Sequence, residues 1–333
     1  MKRLALISLT SKGKALAEVI IAKGKERYTF DVYEKEKESL KDFVKREFYD
    51  CYGLIFISAA GIAVRYIAPY IVSKDKDPAV VVIDDCGKNA ISLLSGHLGG
   101  GNRLTLEIAD IIGANPVITT ATDINEKFAV DVWSKDAGCE IADIHKIKYI
   151  SSSLLEGRDV GLVSDFDIKG AIPKGLVLGT EAKTGISVSL DESKEPFEKT
   201  LTAVPKIVTL GVGCRKNTDS KVFEERILEM LDANRISIKS IEKVVSIDLK
   251  KKEKCILDFC RKYDMEFETF SAEELMSIEG DFDSSEFVRK TTGCDNVCER
   301  SCVFSSGGSL IMKKNGAKGV TCACSIRKWE CKF

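Results

Sequence analysis

Histidine and proline are scarce in this sequence, with two and six residues among 333. Long apolar runs are missing too: the best window, from Gly53 to Val64, ends at Arg65 and is shorter than the roughly 18 residues of a membrane-spanning helix. The apolar run that starts at Leu4 is interrupted by Lys12 and Lys14, so it does not match a secretory signal. We therefore expect a cytoplasmic protein that does not bind membranes.

An excess of charge of either sign is also lacking. Lys and Arg number 50, Asp and Glu number 51, and the formal net charge is -1. Such a chain has no overall positive field to attract nucleic acid, so we expect no nucleic-acid partner. The 12 cysteines are too thinly spread for a small disulfide-stabilised scaffold, which favours a reducing compartment.

Apolar strand-like runs alternate with amphipathic stretches from the first residues onward. This alternation is typical of βαβ units, in which helices cover a mostly parallel sheet. The sequence therefore predicts a multi-domain α/β fold of mostly parallel sheets with flanking helices and glycine-rich strand-to-helix loops. The strongest strand-like runs are Leu4 to Leu9, Leu54 to Ile57 and Val80 to Ile83, and the strongest helical stripe is Leu104 to Ile112, which Gly113 should end.

Changes in pattern divide the chain into three predicted domains. An amino-terminal α/β domain with a glycine-loop site covers residues 1–130, a small middle α/β domain covers 131–202, and a carboxyl-terminal α/β domain covers 203–333. The charged stretch from Asp191 to Lys199, broken by Pro196, is the predicted linker before the last domain. Near the end, Asn315-Gly316 predicts the turn of a hairpin, because both positions tolerate positive φ.

Three glycine-rich segments are predicted to join the end of a strand to the start of a helix. Unpaired N–H groups and the helix dipole at such turns attract carboxylate or phosphate. The alternative is that these glycines only permit tight turns. The segments are Ser58 to Ile62, Ser95 to Asn102 and Gly211 to Arg215, with Arg65, Arg103 and Arg215 in or near them.

His97 lies inside the second segment, where neighbouring glycines leave room around its ring. A group that titrates near neutrality suits proton transfer there, although a lone histidine can equally be structural, as we expect for His145. Glu107 follows within the predicted helix, four residues after Arg103, so an exposed ion pair is its simplest interpretation. Asp123 ends the segment Thr119 to Asp123, where helix capping is the commoner role.

Cysteines in the last domain follow helix and strand spacing. Cys294, Cys298 and Cys302 share one helical stripe, and Cys322 and Cys324 share one strand face. A thiolate metal site is conceivable, but C-x2-C pairs are absent and one stripe cannot surround an ion. Packing as small apolar side chains is the preferred interpretation, and no metal is assigned.

Several of these motifs together resemble one known family. In the first domain they are Leu54 to Arg65, Leu93 to Asn102 and Thr119 to Asp123. In the last domain they are Leu210 to Arg215, Thr292-Gly293 ahead of Val297 to Glu299, and Lys313 or Lys314 ahead of Gly319 to Thr321. The chain resembles, over nearly its whole length, the cobalt-precorrin-5A hydrolase family, CbiG, of anaerobic cobalamin biosynthesis.

The resemblance implies a reaction and a site. The family opens the ring-A δ-lactone of cobalt-precorrin-5A and expels acetaldehyde, giving cobalt-precorrin-5B. Such chemistry needs a base and donors for an oxyanion, and the substrate carries several carboxylates. We expect His97 as acid and base, Glu107 or Asp123 to orient it, and the Gly99 to Asn102 backbone to stabilise the oxyanion. Substrate binding is assigned to Gly61, Arg65, Gly96, Gly99, Gly100, Gly101, Asn102, Arg103, Gly211, Gly213, Arg215 and Lys290.

Alternatives remain at both the residue and the protein level. Glu299 could carry the chemistry instead, with Lys290 assisting. A non-catalytic carrier of the same corrinoid would need the same loops. The resemblance implies no cofactor, because the cobalt belongs to the substrate, and it allows transient contact with neighbouring pathway enzymes.

Overall fold

The computed structural model describes residues 1–73, 76–97, 99–120 and 127–333. These residues form two compact units, Met1–Val132 and Trp133–Phe333, which are described separately. Within the described residues, every helix is too short or too polar to span a lipid bilayer.

The first unit alternates strands and helices, as its sequence pattern predicts. Its elements are β1 (Lys2–Ser8), α1 (Ser11–Gly24), β2 (Tyr28–Val32), α2 (Leu40–Asp50), β3 (Gly53–Ile57), α3 (Ala60–Ile67), β4 (Ala79–Ile83), β5 (Asn89–Leu94), α4 (Gly101–Ile112) and β6 (Asn115–Val117). Helix α5 (Val130–Asp136) begins close to the end of this unit. Gly113 ends α4 with a φ of 69°, which confirms the predicted stop.

These strands form one sheet in the order β2-β1-β3-β4-β5-β6. Four of the five pairings are parallel and the β4–β5 pairing is antiparallel, with Ile83 opposite Ala90, so β5 and β6 run opposite to the other four strands. Strands β3 and β4 are buried on both faces, as a sheet covered by helices requires. Because β5 is reversed, its carboxyl end lies on the side of the sheet where β1, β3 and β4 begin, and not on the side where they end.

The second unit begins with a smaller sheet in the order β10-β8-β11-β12-β7. Its strands are parallel except β7, which pairs antiparallel with β12 at the edge. A separate short pair joins β9 to β18. The elements are β7 (Cys139–Ile141), α6 (Ile147–Leu155), β8 (Val160–Ser164), β9 (Ile168–Lys169), β10 (Leu176–Leu178), β11 (Thr184–Val188), β12 (Lys199–Pro205) and β18 (Cys331–Lys332).

A third sheet has the order β15-β14-β13-β17-β16. Helices α7 and α8 pack together on one face, and α11 packs on β13, β14 and β17 from the other. The elements are β13 (Val208–Cys214), α7 (Ser220–Ala233), β14 (Ile241–Ile247), α8 (Lys254–Lys262), β15 (Glu266–Phe270), α9 (Ala272–Met276), α10 (Glu286–Thr292), α11 (Val297–Ser306), β16 (Ser309–Ala317) and β17 (Val320–Ile326).

Two local predictions were wrong. The β16–β17 hairpin exists, but Asn315 and Gly316 pair with β17 inside the strand, and the turn is Lys318-Gly319 with φ values of 51° and 82°. The predicted linker of residues 191–199 is instead the connection between two adjacent strands of one sheet, β11 and β12. Its Phe197 is buried, because Gly161 and Gly185 leave space for the ring.

Candidate functional site

In the first unit, His97 is paired with a buried carboxylate. Its Nδ1 atom lies 3.1 Å from Oδ2 of Asp131, at the start of α5. The two side chains are 15% and 6% exposed. Burial acts to raise the pKa of Asp131, but the hydrogen bond with His97 and the Val132 N–H overcome it and leave that pKa below its usual range. Sequence reasoning named Glu107 or Asp123 for the orienting role and did not name Asp131; Asp123 lies outside the described residues, so that part stays a prediction.

The glycine loop around His97 folds tightly onto itself before α4 begins. The N–H groups of Gly100, Gly101 and Asn102 donate to the carbonyl oxygens of His97, Ser95 and Gly96 at 2.8 to 2.9 Å. These three amides already donate within the loop, and the expected role of the Gly99 to Asn102 backbone in binding an oxyanion stays a prediction. Gly100 has a φ of 79°, and a Cβ at Gly101 would lie 2.7 Å from the Leu94 carbonyl oxygen, so glycine is needed at both positions.

Side chains on the same loop and helix have local partners. Asn102 is buried and donates from Nδ2 to the Thr120 hydroxyl at 3.0 Å. A Cβ at Gly96 would lie 2.6 Å from Asn102 Oδ1, and one at Gly99 would overlap Ser95. Gly96 and Gly99 therefore allow the loop to close. Asp123 lies outside the described residues.

Glu107 of α4 contacts one aromatic side chain and one basic side chain. It accepts a hydrogen bond from the Tyr28 hydroxyl, and Arg103 Nε lies 3.7 Å from Oε1 of Glu107, as the i,i+4 spacing predicted. Burial and this carboxylate raise the pKa of Tyr28 well above its usual range. The Tyr52 side chain raises the pKa of Arg103, and its hydroxyl lies next to Gly100. This group holds α4 against the sheet.

The first glycine segment lies away from the second. Gly61 lies in the first turn of α3, after the carboxyl end of β3, whereas the His97 loop follows the carboxyl end of the reversed strand β5. The sheet therefore does not bring these two loops to the same edge. Gly61 and Arg65 are both exposed, and a Cβ at Gly61 would meet nothing within 4 Å.

The third glycine segment is part of a strand, which corrects the predicted turn. Gly211 and Gly213 lie within β13, and α7 starts only at Ser220. Both glycines face α11: a Cβ at Gly211 would overlap the Cys298 carbonyl oxygen, and one at Gly213 would lie 3.4 Å from Cys298 Sγ. Their role is to let α11 approach the sheet closely.

A cavity of about 420 Å³ lies at the carboxyl ends of β13 and β14. Parallel sheets commonly bind ligands at this edge. Its described lining includes the basic side chains Arg215, Lys216, Lys250 and Lys314 and no acidic one. Lys250 pairs with Glu253 at 3.0 Å, but no described carboxylate pairs with the other three. Thr292 and Thr321 add hydroxyl groups and Phe287 adds apolar surface, so the cavity is suited to an anionic ligand that also has apolar parts.

A larger cavity of about 650 Å³ lies elsewhere in the second unit. Asp191, Glu192 and Asp232 line it together with Arg235. Glu192 is paired with Lys239 at 3.2 Å, which leaves Asp191 and Asp232 beside Arg235, so this lining has no excess positive charge to attract a ligand with several carboxylates. The smaller, basic cavity is therefore the better candidate for such a ligand.

Glu299 is fully buried beside the basic cavity. Its carboxylate accepts the backbone N–H groups of Asp283 at 3.1 Å and Lys314 at 2.6 Å. It therefore positions the strand segment that carries Lys314. Lys290 is exposed on α10, and the described contacts include none between it and Glu299.

The predicted stripe of three cysteines on one helix was wrong in part: α11 begins at Val297, so Cys294 lies before the helix and only Cys298 and Cys302 lie on it. All three are buried, as the packing interpretation expects. Cys298 and Cys302 face one side of the third sheet, whereas Cys322 and Cys324 pack on the other. Burial raises the pKa of Cys298 to about 11 and that of Cys302 to about 12, which keeps both thiols protonated. Because the two pairs lie on opposite faces of the sheet, their four sulfur atoms do not converge on one point.

Comparisons with known proteins agree on one family. The family model described as cobalamin synthesis G N-terminal matches residues 42–123, the cobalamin biosynthesis central region matches 128–205, and the cobalamin synthesis G C-terminus matches 208–325. A solved structure of a cobalamin biosynthesis protein G homolog from Sulfolobus solfataricus is 20% identical and covers 98% of this chain and 97% of its own, with a TM-score of 0.41.

Two curated relatives cover almost the whole chain. The cobalt-precorrin-5A hydrolase of Salmonella typhimurium is 34% identical over 97% of both chains. The cobalt-precorrin-5A hydrolase of Priestia megaterium is 32% identical over 94% of this chain and 92% of its own. With three matching regions in the family's order, the chain belongs to the CbiG family of cobalamin biosynthesis.

Proposed function

We propose that this chain is a cobalt-precorrin-5A hydrolase, which opens the ring-A δ-lactone of its substrate and releases acetaldehyde to give cobalt-precorrin-5B. The observation that carries the proposal is its relationship, over nearly the full length of both chains, to curated enzymes of that name. Water adds to the lactone carbonyl and the ring C–O bond breaks, giving a carboxylate and an alcohol. Loss of the alcohol proton then lets the C–C bond break and the C=O bond of acetaldehyde form, with the electron pair passing to the macrocycle.

His97 is the proposed acid and base for this reaction. The Asp131 carboxylate holds Nδ1 and orients the ring, and the imidazole is the group that takes a proton from water or the alcohol in this proposal. The buried carboxylate also stabilises the imidazolium formed on proton transfer. The His97 side chain is 15% exposed, so part of the ring reaches solvent.

The basic cavity in the second unit is the proposed binding site for substrate carboxylates. Arg215, Lys216 and Lys314 line it without a described carboxylate partner. A guanidinium or ammonium forms strong charge-assisted hydrogen bonds with carboxylates. The acetate and propionate groups of the corrinoid would complete these pairs. We expect the reaction to need no organic cofactor, because the cobalt macrocycle accepts the electrons.

The test is anaerobic incubation with cobalt-precorrin-5A, with acetaldehyde and corrinoid binding measured separately. His97→Ala should lower the rate by about 10²-fold or more while binding is retained. His145→Ala is the matched control, because His145 is exposed in the second unit and has no proposed role. Unchanged turnover in His97→Ala would reject the assignment of His97 as the base but would leave the hydrolase proposal standing.

The same experiment separates an enzyme from a carrier. A carrier would bind the corrinoid without converting it. The absorbance of the corrinoid would then shift, but no acetaldehyde would be released. That result with the unaltered chain would reject the hydrolase proposal.

A further inference from the structure

Two cysteines and a glutamate that are far apart in the sequence meet beside the basic cavity. Cys214 ends β13, Cys255 lies in the first turn of α8, and Glu253 immediately precedes that helix. One possible ligand atom from each lies within 4.8 Å of the other two. We propose that these three residues form a binding site for a thiophilic divalent cation, with Zn²⁺ as the representative ion.

The spacing of the sulfur atoms fits this chemistry. Cys214 Sγ and Cys255 Sγ are 3.6 Å apart. Two sulfurs bonded to a tetrahedral Zn²⁺ at about 2.3 Å would be roughly 3.8 Å apart. An ion can therefore bind both thiolates with little movement of β13 or α8.

Glu253 is already oriented by its surroundings. Its Oε1 atom accepts the Asn217 N–H at 2.8 Å, and Lys250 Nζ donates to Oε2 at 3.0 Å. These bonds hold the carboxylate near the two sulfurs and leave lone pairs for a metal. Two thiolates, one carboxylate and a divalent cation carry a net charge of -1, which the Lys250 ammonium balances. The site is therefore electrically neutral when occupied.

Three protein ligands leave one tetrahedral position unfilled, the arrangement of an open zinc site. Cys214 and Lys250 both line the basic cavity, which places this site at the cavity wall. A bound ion would carry water there or accept a carboxylate from a ligand in the cavity. No step assigned to His97 passes through this site, so metal binding can be measured without the corrinoid, although a corrinoid carboxylate in the basic cavity would compete for the open position.

The test uses the full chain, reduced and stripped of metal under anaerobic conditions, with Co²⁺ as an optical probe for Zn²⁺. We expect stoichiometric binding with thiolate-to-cobalt charge-transfer absorption in the near ultraviolet, lost when Zn²⁺ is added. Cys255→Ala should raise the Co²⁺ dissociation constant at least about tenfold. The matched control is Cys260→Ala, since Cys260 is buried on the same helix outside the cluster.

Two further variants keep the test decisive. If Cys255→Ala does not fold, Cys214→Ala replaces it, because that side chain is only half-buried at the end of its strand. Glu253→Gln should weaken binding and keep the thiolate absorption. Equal affinity in Cys255→Ala and Cys260→Ala, or no thiolate absorption in the unaltered chain, would overturn the proposal.

Discussion

The Nδ1 atom of His97 lies 3.1 Å from Oδ2 of Asp131, although 34 positions separate the two residues. The histidine comes from the glycine loop after β5, and the aspartate comes from the first turn of α5. Their pairing gives a histidine of fixed orientation beside a buried negative charge. This geometry is compatible with the proton transfer proposed for His97.

Asp131→Asn should slow acetaldehyde release with little effect on corrinoid binding. The amide cannot stabilise the imidazolium and can hold the ring in the wrong tautomer, so we expect a loss of about 10² or more. The rate and the corrinoid dissociation constant should be measured across a pH series. Combining this change with His97→Ala should add little further loss, because the two residues act together. Fully additive losses would contradict the pairing.

Asp131 should also make stability depend on pH in acid. Its pKa is lower in the folded state than in the unfolded chain, so the carboxylate stabilises the fold above the ordinary aspartate pKa of about 4. That contribution is lost as the pH falls through the folded-state value. The free energy of unfolding should therefore differ between the unaltered chain and Asp131→Asn at pH 7, and the difference should shrink below pH 4. A difference independent of pH would contradict the assigned cause.

Gly211→Ala should destabilise the second unit. Its methyl group would overlap the Cys298 carbonyl oxygen, and since that atom belongs to the helix backbone, α11 must move. We expect a loss of at least about 2 kcal/mol in the free energy of unfolding. Gly61→Ala has open space and should change stability by less than about 0.5 kcal/mol. Urea unfolding of both variants checks this, and equal stabilities would refute the close approach.

Neutralising the basic cavity should weaken corrinoid binding. Arg215→Gln or Lys314→Gln removes a charge that lacks a described partner, and each should raise the corrinoid dissociation constant about tenfold. The control is Lys262→Gln, which removes an exposed charge paired with Glu224 on the helical face. Absorbance titrations at two salt concentrations check the result. Equal affinity in all three variants would place carboxylate binding elsewhere.

Lys318→Asn should stabilise the last hairpin. Lys318 has a φ of 51°, a conformation that lysine adopts at a cost and asparagine tolerates. The variant places Asn-Gly at the two turn positions, and we expect a gain of about 0.5 to 1 kcal/mol. Thermal unfolding measures the change. A lower melting temperature would show that the turn does not limit stability.

The alternation of strands and helices could be predicted because burial on a covered sheet imposes it locally. The buried runs of β1, β3 and β4 and the stop at Gly113 follow from this rule. The direction of β5 could not be predicted, because a short strand shows the same pattern of apolar residues whichever way it runs. Its reversal moves the His97 loop away from the edge at which Gly61 lies.

The site was harder to predict because its contacts are distant in sequence. A glycine in a motif indicates equally well a tight turn or a place where two backbone segments pack closely. Gly211 lies in a strand and allows α11 to pack closely on the sheet. Nothing near Asp131 marks it as the partner of His97, and nothing near Cys255 indicates Cys214, 41 positions earlier. Only the folded chain brings these pairs together.

Acetaldehyde released from cobalt-precorrin-5A by the purified chain, under anaerobic conditions, tests the central claim most directly. The account predicts one acetaldehyde for each cobalt-precorrin-5B formed, with His97→Ala strongly impaired and His145→Ala unaffected. Tight corrinoid binding by the unaltered chain without any acetaldehyde would contradict it.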